Sequence, residues 1–140
     1  MASADGWAVD TSVAVAALDS GHTAHGPCVA AVRQHRPALA GHAAYELFAV
    51  LTRLPGQLAI DAGDAASLID RVFPEVVWLS AGASATLRAR LATIGIIGGA
   101  VYDALVGEAA RTAGRRLLTR DLRARRTYDL LGVDYEFVGP

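Results

Sequence analysis

One change of rhythm, repeated along the chain, limits its fold more than any other feature. Short apolar runs of strand length alternate with longer stretches whose apolar residues recur at helical spacing. The strand candidates are residues 6–9, 38–41, 75–79 (EVVWL), 116–119 and 135–138. Helical spacing marks residues 12–18, capped by Thr11 or Ser12, and a second helix with Pro27 in its first turn that runs to about residue 34. It marks 43–54 as well, with Leu47, Phe48, Leu51 and Leu54 on one side and Pro55 and Gly56 as the stop. Further helices are expected over 61–72, 84–93, 100–113 and 122–131. Strands alternating with helices predict an α/β domain whose mostly parallel sheet is covered on both faces. In such sheets, ligands bind beyond the carboxyl ends of the strands.

A chain of 140 residues is expected to form one domain over 1–140. At that length it buries roughly two thirds of its surface, enough to fold without disulfides or metal. It is 53% hydrophobic, with a mean hydropathy of +0.32. Asp10, Glu46 and Asp103 nevertheless cut its apolar stretches well short of the roughly 20 residues a membrane span needs. The surplus of apolar residues hints at a buried partner surface, although much of it is alanine. Cys28 is the only cysteine, which excludes an internal disulfide framework and fits a reducing cytoplasm. The opening MASADGW carries no positive segment of the kind that begins a secretory signal.

The net charge of −1 names no partner, but the distribution of charge says more. All 13 basic residues are arginine, and seven of them fall between Arg111 and Arg126. Arginine suits bidentate phosphate contacts. A solvated helix face is the plainer account of the same cluster.

Three carboxylates interrupt apolar stretches, and a fourth follows the end of a predicted strand. Asp10 interrupts WAVDTSVAVAAL, at the end of a predicted strand. Glu46 lies in AAYELFAVLTRL, and the nearest basic residue along its face, Arg53, is roughly 10 Å away along a helix axis. Asp103 lies in IIGGAVYDALVGEAA, between Gly99 and Gly107. Asp121 follows the strand of RLLTRD. Glycine inside a helix costs about 1 kcal/mol relative to alanine, so Gly107 should make room for something: another backbone, or a bulky ligand.

Burying one unpaired carboxylate is costly, and clustering several raises their pKa values. A hard cation resolves the conflict, and an all-oxygen donor set favours Mg²⁺ or Mn²⁺ over zinc. A cation so held activates water and stabilises charge on phosphorus, which points to phosphoester hydrolysis. Each acid has a plainer reading. Asp10 and Asp121 serve equally well as helix caps. Glu46 could be partly exposed, and Asp103 could pair with a distant arginine. HTAHGPC offers His22, His25 and Cys28 as a rival zinc site. Its spacing fits no finger pattern, and Gly26–Pro27 breaks a continuous helix face.

VDTSV, YELFAVLTRL, VYDALVGEAAR and LLTRDLRARRTYDLLGVDYEFV resemble, in that order, the characteristic segments of PIN-domain nucleases, above all the VapC toxins of bacterial toxin–antitoxin pairs. The resemblance implies a three-layer α/β/α sandwich with a central sheet of about five strands. It implies a Mg²⁺- or Mn²⁺-dependent endoribonuclease. Asp10, Glu46, Asp103 and Asp121 match the family's acidic residues, and Thr11 or Ser12 and Thr119 match hydroxyls that order the acidic pocket. Arg120 and Arg123 are the candidates for RNA backbone contacts. The family further implies an RNA substrate, a cognate antitoxin that lays apolar residues in a groove, and a homodimer. This sequence departs from the pattern in having Ala124 where an aromatic often follows Asp121. Two other readings stay open: an inert partner-binding module of the same fold, and a different Mg²⁺-dependent phosphohydrolase.

Overall fold

The structure, a computed structural model, describes residues 6–53 and 60–139. Five strands form a single sheet: β1 (Trp7–Val9), β2 (Ala38–Ala40), β3 (Val76–Val77), β4 (Arg116–Thr119) and β5 (Tyr135–Phe137). Their order is β3-β2-β1-β4-β5, and every neighbouring pair is parallel. Ala8 and Val9 of β1 register with Ala38 and Leu39 on one side and with Leu117 and Leu118 on the other.

Side chains alternate along a strand, so each inner strand feeds two cores. Val9, Leu39 and Leu118 join one core with α1 (Thr11–Leu18), α2 (His25–His35), α3 (Ala43–Arg53) and α4 (Ala62–Val72). Ala8, Ala40 and Leu117 join the other with α5 (Ala81–Ile94), α6 (Ala100–Thr112) and α7 (Arg125–Leu131). The result is the expected three-layer α/β/α sandwich with five strands. Much of the alanine surplus is spent inside it. Ala8, Ala14, Ala38, Ala40, Ala104 and Ala110 have no exposed surface, so that part of the hydropathy reflects a core of small residues and not a partner surface.

Several boundaries differ from expectation for local reasons. The first helix begins at Thr11 and is capped by Asp10, not by Thr11 or Ser12. Asp10 is extended, and its carboxylate accepts from the Val13 amide, while the two hydroxyls turn to acids. The helix expected over 84–93 runs from Ala81 to Ile94, because Ser80 caps it and Gly95 ends it in the left-handed region at φ 77°. The strand expected over 75–79 shrinks to two residues at the sheet edge, where pairing comes from one side only. The helix expected over 122–131 splits into a 3-10 turn, Leu122–Ala124, and α7. Leu54, Pro55 and Gly56, expected at the end of α3, lie outside the described residues. Among the described residues no helix is long and apolar enough to cross a membrane.

Candidate active site

Asp10 leaves the carboxyl end of the central strand, and Asp121 follows the end of its neighbour β4. Glu46 and Asp103 each sit in the first turn of a helix, α3 and α6 respectively, from opposite layers. The topology thus delivers one acid from each of four elements to the same end of the sheet.

Asp10 is 97% buried and fully engaged, its relative exposure being 3%. Its Oδ1 accepts from the Ser12 hydroxyl at 2.5 Å and the Val13 amide at 3.3 Å. Its Oδ2 accepts from the Thr119 hydroxyl at 2.5 Å and from the Tyr128 hydroxyl at 3.0 Å. Oxygen–oxygen contacts that short are typical of a hydroxyl bound to an ionised carboxylate. Burial nonetheless pushes the Asp10 pKa up, against the pull of these donors. Two of the hydroxyls are themselves held from behind. Ser12 Oγ accepts from the Arg120 amide at 2.8 Å, and Thr119 Oγ1 accepts from the Asp121 amide at 3.1 Å. Thr11 serves a different acid, donating to Glu46 Oε1 at 2.7 Å. The expected pocket hydroxyls Thr11, Ser12 and Thr119 therefore all contact site acids.

Asp103 is the contrasting case. Burial pushes its pKa up to about 6, and the negative charges of Asp121, Glu46 and Asp10 add to the rise. Arg123 opposes them, and among the described residues no hydrogen bond stabilises the charge. Glu108, five residues on along α6, shows what a structurally neutralised buried acid looks like. Arg111 grips both of its oxygens at 2.8 Å, and Arg90 of α5 lies at 4.0 Å. Asp103 has no such clamp. Asp121 accepts from the Arg123 amide at 2.9 Å, and its other oxygen is uncommitted.

Asp121, Glu46 and Asp10 all lie within electrostatic reach of Asp103. Among the described residues, no three His, Cys, Asp or Glu form a ready-made metal-binding set. The donor chemistry still fits a hard cation. Asp103 is free and carries a charge that its neighbours disfavour. Glu46 and Asp121 each keep one oxygen without a donor among the described residues. Asp10 is different, since a carboxylate offers about four acceptor positions and all are taken. Its direct ligation of a cation would require a donor to withdraw.

Tyr128 escaped the sequence reading. The signal was present, because a tyrosine buried on a helix needs a partner for its hydroxyl. Gly107 is explained by the same ring. A Cβ at Gly107 would lie 2.8 Å from Tyr128 Cδ1 and 3.0 Å from Val133 Cγ2. The glycine makes room for Tyr128, not for a ligand or a second backbone.

The two arginines chosen for RNA contacts differ. The Arg123 side chain is 94% exposed, with its Nε 3.7 Å from Asp121. Arg120 donates to the Val138 carbonyl at 2.6 Å and lies over the Phe137 ring. The alternative zinc ligands are occupied elsewhere: His22 Nδ1 accepts from the Ala24 amide, and His25 Nδ1 lies 2.8 Å from the Ala16 carbonyl.

A model of the PIN domain matches residues 8–130, a span that contains all four acids. The chain belongs to the VapC branch of the PIN-domain family. It is 47% identical over 126 residues to ribonuclease VapC27 of Mycobacterium tuberculosis (strain H37Rv), covering 90% of this chain and 92% of that protein. It is 43% identical over 132 residues to ribonuclease VapC40 of the same species (strain CDC 1551), covering 94% and 98%. Among solved structures, VapBC2 of Rickettsia felis, bound to a DNA fragment from its promoter, superposes with a TM-score of 0.64 at 16% identity over 95% of this chain and 98% of that one. FitAcB of Neisseria gonorrhoeae gives 0.60 at 17% identity over 91% and 94%. At those identities the likeness speaks for the fold, and this PIN domain has the same architecture.

Proposed function

We propose that this PIN domain, residues 1–140 acting as one unit in a reducing cytoplasm, is the toxin of a toxin–antitoxin pair and an endoribonuclease dependent on Mg²⁺ or Mn²⁺. The observation that carries the reading is Asp103, a half-buried carboxylate with no ion-pair partner among the described residues, pressed by three other acids from three other elements. A divalent ion at that point would supply the charge that activates water and offsets charge on the phosphoryl oxygens. Asp103 and the uncommitted oxygens of Glu46 and Asp121 would hold it, with Asp10 as the fourth acid. Asp10 also fixes the geometry, because its bonds to Ser12, Thr119 and Tyr128 tie β1, β4 and α7 together behind the site. Thr11 orients Glu46. Arg123, extended into solvent beside Asp121, would meet an RNA phosphate. Arg120, bound to Val138, would act more through the backbone it steadies.

The VapC names of the relatives and the toxin–antitoxin assemblies among the structural neighbours support an antitoxin partner. A groove of about 340 Å³ between α1, α2 and α4, lined by Leu18, Val29, Val32, Leu68 and Val72, suits its apolar segment. A homodimer is the assembly that the family resemblance implies.

The test is RNA cleavage by protein freed of any partner, with Mg²⁺ or Mn²⁺ and with chelator. Asp103→Asn should abolish cleavage without unfolding the protein, because Asp103 makes no side-chain hydrogen bond among the described residues. Cleavage by that variant at the wild-type rate would defeat the proposal. One observation favours the inert-module reading, namely the full hydrogen-bond complement of Asp10. The same assay decides between the two.

A further inference from the structure

Beside the acids stands a group of aromatic rings that the chemistry above does not use. His42 lies in the turn after β2, Tyr45 in the first turn of α3, Trp78 just after β3, and Tyr102 in the first turn of α6. His42 stacks on Tyr102 at 5.3 Å between centroids, with 20° between planes. Tyr45 meets Trp78 at 5.6 Å and 53°. Tyr45, Trp78 and Tyr102 are 65%, 54% and 53% exposed. Aromatic side chains contribute most when buried, so three left half in water at one place call for an occupant.

We propose that this shelf holds an unpaired base of the RNA substrate, from a nucleotide flanking the bond that is cut. The inference rests on the ribonuclease reading and adds to it a base-binding subsite. Three observations favour a base over another occupant. First, the shelf is built on the same two helix starts as the acids. Tyr45 precedes Glu46, Tyr102 precedes Asp103, and the Glu46 amide donates to the His42 carbonyl at 3.2 Å. The His42–Tyr102 stack therefore joins the two turns that bring Glu46 and Asp103 together. Second, the recess at the shelf is about 200 Å³, lined by Gly41, His42, Tyr45, Trp78, Leu79, Ser84 and Leu105. That is smaller than the roughly 300–1,000 Å³ of pockets that enclose whole drug-sized ligands, and it suits a flat ring system. Third, the exposed rings pair an apolar face with a polar edge, and the lining carries no arginine or carboxylate. Proteins that bind single-stranded RNA use such surfaces to stack bases with little dependence on sequence.

The chain has two tryptophans, so Trp7→Phe leaves Trp78 as the sole reporter. In that background, with chelator present, Trp78 emission is followed on titration with a short single-stranded RNA of mixed sequence. A parallel titration uses an abasic ribose–phosphate chain of the same length. RNA should quench Trp78, and the abasic chain should not. Trp78→Ala should weaken RNA binding roughly 5- to 150-fold and leave abasic binding unchanged, and Trp78→Phe should restore most of the loss. Equal quenching by both chains, or full RNA affinity in Trp78→Ala, overturns the proposal. So does a Trp78→Ala protein that dissociates from dimer to monomer with RNA affinity per chain unaltered, since the shelf is then an interface between copies. Cleavage with Mn²⁺, assayed on the same samples, separates the two readings. Cutting without base-dependent quenching removes the shelf and keeps the nuclease, whereas base-dependent quenching without cutting does the reverse.

Discussion

At the residue scale, Asp10 and Asp103 divide the work of a charged pocket between them. Asp10 is held by hydroxyls and defines position; Asp103 is left free and carries electrostatic strain. The strain has a sign that can be measured. The folded protein holds the Asp103 proton up to about pH 6, whereas the unfolded chain releases it near 3.8. Between those values the folded state binds more protons, so its stability falls as pH rises, and the loss is complete above about pH 6. In metal-free buffer, the wild-type melting temperature should therefore drop across that window relative to Asp103→Asn. At pH 8 the inactive variant should melt higher than the wild type, and scanning calorimetry at several pH values reads both effects. Tyr128→Phe tests the other half of the division. Removing a hydrogen bond to a buried carboxylate should cost about 1.5–3 kcal/mol in urea unfolding, with little change in the slope of the transition.

At the element scale, α6 and α7 meet through a glycine. Gly107→Ala places a methyl group where Tyr128 Cδ1 lies 2.8 Å away. The ring must move, and overpacking of this kind costs about 1–3 kcal/mol. The variant should also lose near-ultraviolet dichroism from tyrosine and part of its activity, as the hydroxyl is pulled from Asp10. This contact was legible only in part. The sequence marked Gly107 as a cost in need of a reason, but the reason lies in a ring 21 positions later, and no periodicity links the two. The helices themselves are readable wherever a start or stop signal stands beside a periodic face, as with Pro27 in the first turn of α2. The 84–93 helix was read short because alanines and small polar residues fill its first turn and give little pattern. The strand 116–119 is legible to the residue, since Leu117, Leu118 and Thr119 are buried and Gly114 and Asp121 each stand two positions beyond its ends. Asp10, Glu46 and Asp103 stand out because each interrupts an apolar stretch that would be simpler without it, and Asp121 because it follows the end of a strand. Whether an acid is neutralised, as Glu108 is, or left free, as Asp103 is, depends on neighbours brought in by folding.

At the scale of the whole molecule, a cation should act as a structural ligand as well as a reagent. If the acids bind Mn²⁺, stability rises with its concentration, by about 2.7 kcal/mol at a hundredfold excess over Kd. The melting temperature of the wild type should climb with added Mn²⁺, and that of Asp103→Asn should not. A climb of equal size in both would place the ion elsewhere.

The placement of β1 in the middle of the sheet has a consequence for synthesis. Its partner β4 is translated last but one among the strands, and Thr119 reaches back 109 positions to Asp10. At about 5–20 residues per second, a ribosome takes roughly 5–20 s to cover that interval. Throughout it the nascent chain carries Asp10 without Thr119, Tyr128 or Asp121, and no pocket exists. A pocket built this way cannot form until the final third of the chain emerges, so any chemistry it performs is delayed until synthesis is nearly complete.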